Sequence, residues 1–428
     1  MNISQKVFVD NLSISYKNDE QIVKNINFSL NEGELLLLIG KTGTGKTSIL
    51  NVLAGNTPRL IKAKVEGNVR INGIDPRDSP SEVLLRNVGL VPQEPSDGVI
   101  GDTVEDEVLL SLMFRNDDAD VEGWLRLFNL ERLYERTTFT LSAGETQKLA
   151  ILSRVLLNAH VLLFDEPTTY LDEESREGFK EVVFSLLKAG KTVIITGHGA
   201  TFWDNIPKKI VELPRKAEEV NVEEFSRIEV DRLNKMTYVK VKGLEYQYYP
   251  SKVPIFKNIN LSFDGPGIIL LKGPNGSGKT TFLKLLSGIV RPKRGKIEMS
   301  HSALFIPDNP LLYFSKPTPK EELELFAGNL KKEEKERLLK IKIFAKKMKE
   351  LSSGERRLIS LISASLSHYP IILMDEPTVG LDPEYKSTVL DIFKKLSDSG
   401  RLLIISSHDR EVEKVATEVV EVNKLSEN

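Results

Sequence analysis

The chain has 428 residues, 40% of them hydrophobic and 28% charged, and 59 Lys and Arg stand against 61 Asp and Glu for a net charge of −2. Such a length predicts two or three globular domains, and the balance excludes a disordered chain and argues against binding nucleic acid, DNA included, through overall charge. The absence of cysteine removes disulfides, thiol nucleophiles, iron–sulphur clusters and Cys-ligated zinc, and five His leave little for a His-built metal site.

The start, Met1 to Lys6, lacks the apolar core of a signal peptide, and no apolar run approaches the ~18 residues of a membrane helix. The expectation is a protein without a membrane span of its own, cytoplasmic or peripheral. The first strong element is the apolar run 35–39, a predicted buried strand. It leads into Gly40-Lys41-Thr42-Gly43-Thr44-Gly45-Lys46-Thr47-Ser48 and a predicted helix over 46–54. Gly-x-x-x-x-Gly-Lys-Thr after a strand is a phosphate-binding loop. Its glycines Gly40, Gly43 and Gly45 let backbone N–H groups converge on phosphates, and the helix N-terminus adds partial positive charge. Lys46 reaches the β- and γ-phosphates of ATP, and the Thr47 hydroxyl turns to Mg²⁺.

Further along come Gln93, the string Leu141-Ser142-Ala143-Gly144-Glu145, and a strand over 161–164 ending in Asp165-Glu166-Pro167-Thr168. Leu171-Asp172 and a strand over 193–196 leading to His198 follow. Four apolar residues before Asp-Glu put two carboxylates at the carboxyl end of a strand, beside the loop. Asp165 is placed to hold Mg²⁺ through its hydration shell, and Glu166 to polarise the attacking water.

The chain is then written a second time. Gly273-Pro274-Asn275-Gly276-Ser277-Gly278-Lys279-Thr280-Thr281 repeats the loop at an offset of 233 residues. Leu351-Ser352-Ser353-Gly354-Glu355, Asp375-Glu376-Pro377-Thr378 and His408 repeat the later motifs at 210. Strands are predicted over 268–271, 371–374 and 402–406 and a helix over 279–287, so each copy is an α/β domain. The first copy spans 1–213 and the second 236–428, joined by a charged linker over 214–235. Between loop and Leu-Ser string the first copy is 23 residues longer, mostly between Gly67 and Gln93.

This ordered set of motifs resembles the ATP-binding-cassette (ABC) ATPases, across nearly the whole chain and twice over. The resemblance implies two P-loop domains, each with a RecA-like core and a helical subdomain, that bind and hydrolyse ATP with Mg²⁺. It implies that Tyr16 and Tyr248 stack on adenine, with Tyr246 and Tyr249 competing for the second role. It also implies that Gln93 contacts Mg²⁺, that His198 and His408 contact the γ-phosphate, and that Thr280 and Asp375 repeat the metal roles of Thr47 and Asp165, with Glu376 repeating that of Glu166. It implies further that each signature helix caps the nucleotide of the opposite domain. One site thus pairs Lys46, Asp165, Glu166, Gln93 and His198 with Ser352 and Gly354; the other pairs Lys279, Asp375, Glu376 and His408 with Ser142 and Gly144.

One position departs from the pattern. Asp308 stands where the first copy has Gln93, since Thr103 and Thr318 each follow ten residues later. Asp308 either ligates Mg²⁺ directly or fails to reach it, and the two sites are expected to be unequal.

The stretch from Gln93 to Val108 is similar to the ATPases of energy-coupling factor (ECF) importers. That likeness implies a separate transmembrane scaffold protein and a substrate-binding membrane subunit as partners, on the cytoplasmic face of the membrane. Glu105 and Glu107 are expected at exposed helical positions there. A soluble tandem ABC protein acting on ribosomes is the alternative; it usually carries a long charged helical linker or a cysteine-rich domain, and neither stands here. A chromosome or DNA-repair ATPase is excluded, since 118 residues separate Lys46 from Asp165 and 95 separate Lys279 from Asp375, too few for a long coiled coil. The run 331–350, with nine basic and four acidic residues, reads as a solvated helical face.

Overall fold

The computed structural model describes residues 5–16, 21–115, 118–214, 225, 227–248, 254–326 and 332–425. It divides into two compact units, Met1–Ala217 and Glu218–Asn428. In the first, a five-stranded parallel sheet runs in the order Val88–Val91, Val161–Phe164, Thr192–Gly197, Leu35–Ile39, Lys209–Glu212. Parallel neighbours need crossovers, which the intervening helices supply. Both faces of this sheet are covered, so Leu35 to Leu38 are all buried. Leu35 and Leu37 enter one core with Ile151, Phe179 and Val183, whereas Leu36 and Leu38 enter the other with Val7, Ile49 and Val69.

The second unit repeats the plan with Ala303–Ile306, Ile371–Asp375, Leu402–Ser406, Gly267–Lys272 and Glu418–Glu421. Ile268 and Leu270 face one core, Ile269 and Leu271 the other. Each unit adds a three-stranded antiparallel sheet that the sequence pattern hides. The orders are Gln21–Asn31, Gln5–Ser15, Lys64–Ile71 and Phe256–Asp264, Tyr238–Tyr246, Arg294–Met299. Repeated register shifts in these pairs break the alternation of apolar and polar residues on which strand recognition rests. The surplus of the first copy includes the helix Ser81–Asn87, where the second unit has a short turn between Met299 and Ala303.

The stretch read as a linker lies partly outside the described residues, and its later part is no free connector. Phe225 and Ile228 are buried in the second unit's core with Leu338, Phe344 and Met348. The Arg401 guanidinium donates to the Asp231 carbonyl at 2.9 Å, and the Leu233 N–H donates to the Ser399 carbonyl at 2.7 Å. Two apolar side chains among the charges suffice to dock this segment, so the second unit begins before residue 236. The basic run is not the single solvated helical face expected: the helix Lys332–Leu339 gives way to short turns over Lys342–Ala345 and Met348–Glu350, and Leu338, Ile343, Phe344 and Met348 enter the second unit's core.

Candidate functional site

Each phosphate-binding loop bridges a buried strand and a short helix, Lys46–Leu53 in one unit and Lys279–Leu286 in the other. Gly45 and Gly278 sit at the helix N-caps with φ of 98° and 99°, a left-handed conformation that favours glycine. A Cβ on Gly45 would lie 2.6 Å from a Val23 methyl, and one on Gly278 would lie 2.7 Å from an Ile255 methyl. Glycine is therefore required twice over at both positions. The lysines that follow are buried: Lys46 Nζ donates to the Gly40 and Lys41 carbonyls at 2.7 and 3.1 Å, and Lys279 Nζ to the Gly273 and Pro274 carbonyls at the same distances.

In the first unit the predicted residues converge on Glu166. Its Oε1 lies 3.2 Å from Lys46 Nζ and 3.3 Å from His198 Nε2, and its Oε2 accepts from Gln93 Nε2 at 3.1 Å. Burial pushes the Glu166 carboxyl up, but His198 and Lys46 outweigh it and hold the group down to about 2. Asp165 is pushed the other way, to about 6, by burial and the Glu166 charge, against hydrogen bonds from the Thr196 and Thr47 hydroxyls and the charge of Lys46. The Tyr16 hydroxyl donates to Ser48 Oγ at 3.1 Å, which fixes the ring over the loop helix.

The second unit assembles the same parts differently. Lys279 Nζ is 3.0 Å from His408 Nε2, the ring also lies 3.2 Å from Asn275 Oδ1, and Glu376 Oε1 is 3.7 Å from that ring nitrogen. Burial raises Glu376 to about 8, with Lys279 opposing and Asp375 adding to the rise. Asp308 is raised to about 6 by burial and by the charge of Asp375. The Tyr248 hydroxyl is 3.3 Å from Thr281 Oγ1, matching Tyr16 and Ser48, whereas Tyr246 is buried in the core with its ring edge-on to Tyr248. Tyr249 lies outside the described residues.

The signature strings fold as helix starts. Ser142 and Ser352 are N-caps that close capping boxes with Glu145 and Glu355, their N–H groups donating to the glutamate carboxylates at 2.8 Å. Gly144 and Gly354 lie in the first turn of the helices Ala143–Leu156 and Ser353–Leu366.

The register that matches Asp308 to Gln93 is repeated by a buried glutamate downstream of each, Glu322 and Glu107. Glu107 accepts from the Ile100 and Gly101 N–H groups at 2.8 Å, and Glu322 from the Ser315 and Lys316 N–H groups at 3.0 and 2.9 Å. The expectation that Glu107 is exposed is thereby corrected: it is 1% exposed and faces inward to tie down the loop before its helix, while Glu105 is exposed.

Three residues that the motifs did not single out complete the sites. Thr196 and Ser406 bind the carboxylates from the neighbouring strand. Arg357 donates to the Glu376 carbonyl at 2.9 Å, while its counterpart Gln147 is buried with neither amide atom hydrogen-bonded. A lone hydroxyl at the end of an otherwise apolar strand was the available signal for the first two.

Among the described residues no cluster of three His, Cys, Asp or Glu could hold a metal alone. A cation here would take most of its oxygens from phosphate and water, which is the habit of Mg²⁺. The donors fit: the Thr47 hydroxyl meets Asp165, and Asp375 Oδ2 is buried without a hydrogen-bond partner. Nor is any helix among these residues long and apolar enough to cross a membrane.

Comparison with known proteins agrees. The family profile described as ABC transporter matches residues 23–169 and 256–379, more than half of the chain, and an AAA-domain profile also matches 347–412. A Methanosarcina mazei protein, provisionally named an ABC transporter ATP-binding protein, is 28% identical over 94% of this chain and 90% of its own length. A similarly named Saccharolobus solfataricus protein is 27% identical over 98% and 92%. Among solved structures, an RNase-L inhibitor aligns over 97% of this chain and 89% of its own with a TM-score of 0.55. An archaeal ribosome-bound Pelota and ABCE1 structure aligns over 96% and 76% with a TM-score of 0.61. Both are 22% identical to this chain, a likeness of fold alone.

Proposed function

This chain belongs to the ABC transporter family and is an ATP hydrolase built from two fused ATP-binding domains, and we propose that it energises an importer of the ECF type. Each unit binds one ATP on its own phosphate-binding loop, and capping of that nucleotide by the other signature helix is what the family resemblance implies. Fusion raises the effective concentration of the second half, so closure on ATP is intramolecular. Lys46 and Lys279 bind the phosphates, and Tyr16 and Tyr248 support the base. Thr47, Asp165 and Gln93 in one unit, and Thr280, Asp375 and Asp308 in the other, would hold Mg²⁺, which when bound offsets charge on the β- and γ-phosphates. Glu166 accepts the proton of the water that attacks the γ-phosphorus, with His198 and Gln93 fixing the carboxylate; Glu376 and His408 serve the second site.

The observation that carries the transport reading lies next to Gln93, which touches Glu166. Within the following segment Ile100, Leu109, Met113 and Phe114 are exposed, at 79%, 51%, 73% and 43%. Exposed apolar side chains gathered in one segment mark an interaction surface. A helix of a separate transmembrane scaffold, beside a substrate-binding membrane subunit, is its proposed occupant, placing the chain on the cytoplasmic face of the membrane.

Co-expressed with such partners, the chain should sediment with membranes and leave them in mild detergent as a complex. Leu109→Glu with Met113→Glu, or Glu105→Lys, should weaken the complex while ATP binding persists; Glu107 is unsuited to this test because it is buried. Sedimentation with ribosomes in an ATP-dependent way, with no membrane association, would overturn the transport reading in favour of a soluble tandem ABC ATPase acting on translation.

A further inference from the structure

Two adjacent residues at the end of one strand must do opposite things. The aspartate has to stay at the strand end while the glutamate turns its carboxyl toward the loop lysine and the histidine. Both units achieve this by holding the glutamate in the left-handed region, with φ of 48° at Glu166 and 47° at Glu376. A residue with a side chain avoids that region unless its surroundings fix it there.

The same kind of contact does so in both units. Thr196 ends the run of buried residues in the neighbouring strand and is 2% exposed. Its hydroxyl donates to Asp165 Oδ1 at 2.6 Å and accepts the Glu166 N–H at 2.8 Å. Ser406 is fully buried at the corresponding place; its hydroxyl donates to Asp375 Oδ1 and accepts the Glu376 N–H at 3.2 Å. A hydroxyl has one proton to give and lone pairs to receive, so a single oxygen can address a carboxylate and an amide together. The donated bond is charge-assisted, hence short and directional. Without that oxygen, the buried Glu166 N–H would lose the acceptor that holds it, and Asp165 would lose one of its donors.

We propose that Thr196 and Ser406 are positioning residues for ATP hydrolysis, each using one hydroxyl to lock the metal-side aspartate and the backbone turn that aims the catalytic glutamate. The inference rests on the reading of Glu166 and Glu376 as the proton acceptors. Neither hydroxyl touches ATP in this account; each acts through its two neighbours. Thr and Ser can both serve because only the oxygen is used; the Glu376 N–H also donates to the Ser406 carbonyl at 3.0 Å, so the hydroxyl carries more of the hold at Glu166 than at Glu376.

The test uses the full chain and three sets of variants. Thr196→Val with Ser406→Ala removes both hydroxyls, Thr196→Ser with Ser406→Thr exchanges them, and Glu166→Gln with Glu376→Gln checks the underlying reading. Removal should lower kcat by ~10–100-fold while KM and nucleotide affinity change less than ~3-fold, and the exchange should restore most of the rate. In nucleotide-free protein, hydrogen exchange across residues 164–168 should accelerate on removal and not on exchange, a readout independent of turnover. If removal unfolds the chain, Thr196→Val alone, scored by the same exchange, decides the matter. Wild-type kcat and unchanged exchange after removal, with the glutamate variant inactive, would overturn the positioning role alone; an active glutamate variant would overturn the site reading beneath it.

Discussion

The first and second units share a fold and a set of motifs, yet their glutamates Glu166 and Glu376 sit in opposite electrostatic states. Around Glu166, a lysine, a histidine and a glutamine amide all point at one carboxylate, which stays ionised. Around Glu376, the glutamine has become Asp308, a third carboxylate beside Asp375, and Lys279 lies close to His408 instead. Glu376 is raised to about 8, with its Oε2 buried and unbonded. A general base must be ionised to accept a proton, so the first site rests in a ready state and the second does not. Burial raises Glu376 and Asp375 adds to the rise, against Lys279 and Arg357, whereas His198 and Lys46 overcome the same burial at Glu166.

The largest effect comes from removing both bases. Glu166→Gln with Glu376→Gln should leave ATP binding intact and cut hydrolysis by ~10²–10⁴-fold, the usual worth of a general base. Steady-state phosphate release and nucleotide binding check this, and near-normal turnover would dissolve the comparison altogether. The singles sharpen it. Glu166→Gln alone should cost ~10-fold or more of the total rate, and Glu376→Gln alone less than ~2-fold. Equal losses would show that the units work as one cycle in which the charge difference is immaterial. A smaller effect should follow Asp308→Gln in the Glu166→Gln background. It removes a negative charge beside Asp375 and restores the first unit's amide, so residual turnover should rise ~2–5-fold.

Much of this was legible beforehand because the motifs lie on short elements whose ends are fixed by their own residues. The strands Leu35–Ile39 and Val161–Phe164 have the bounds that their apolar runs predict, and both loop helices begin at the motif lysine. Asp308 could be matched to Gln93 from spacing, and the inward-facing Glu107 and Glu322 show the same register in three dimensions. The antiparallel sheets were not legible, since bulges scramble their alternation. Glu107 was misjudged because a charged residue near a helix start is ordinarily solvated, and only the fold reveals the two backbone donors it serves. Thr196, Ser406 and Arg357 were missed for a related reason. Each acts across strands or between helix and strand, so none belongs to a contiguous string.

The smallest predicted effect tests the charge difference without any turnover. In nucleotide- and metal-free protein, Glu376 is raised from an ordinary 4.5 to about 8, so the folded state binds its proton more tightly than the unfolded chain does. Its contribution to stability is present below pH 4.5 and is lost as pH rises toward 8. Glu166, lowered from 4.5 to about 2, behaves with the opposite sign, stabilising above 4.5 and losing that contribution only as pH falls toward 2. Asp165 and Asp308, both raised to about 6, complete most of their change below neutrality. Between pH 6.5 and 8.5 the slope due to carboxylates in these two sites therefore belongs mainly to Glu376. Thermal unfolding across that window should show a midpoint that falls by a few degrees, roughly the response of a domain this size to a change of about 1 kcal/mol. Glu376→Gln, neutral at every pH, should flatten the slope, whereas Glu166→Gln should leave it in place. If both variants keep the wild-type slope, Glu376 is already ionised at neutral pH and the two units are charged alike, so Asp308 must act on the second site through reach or shape.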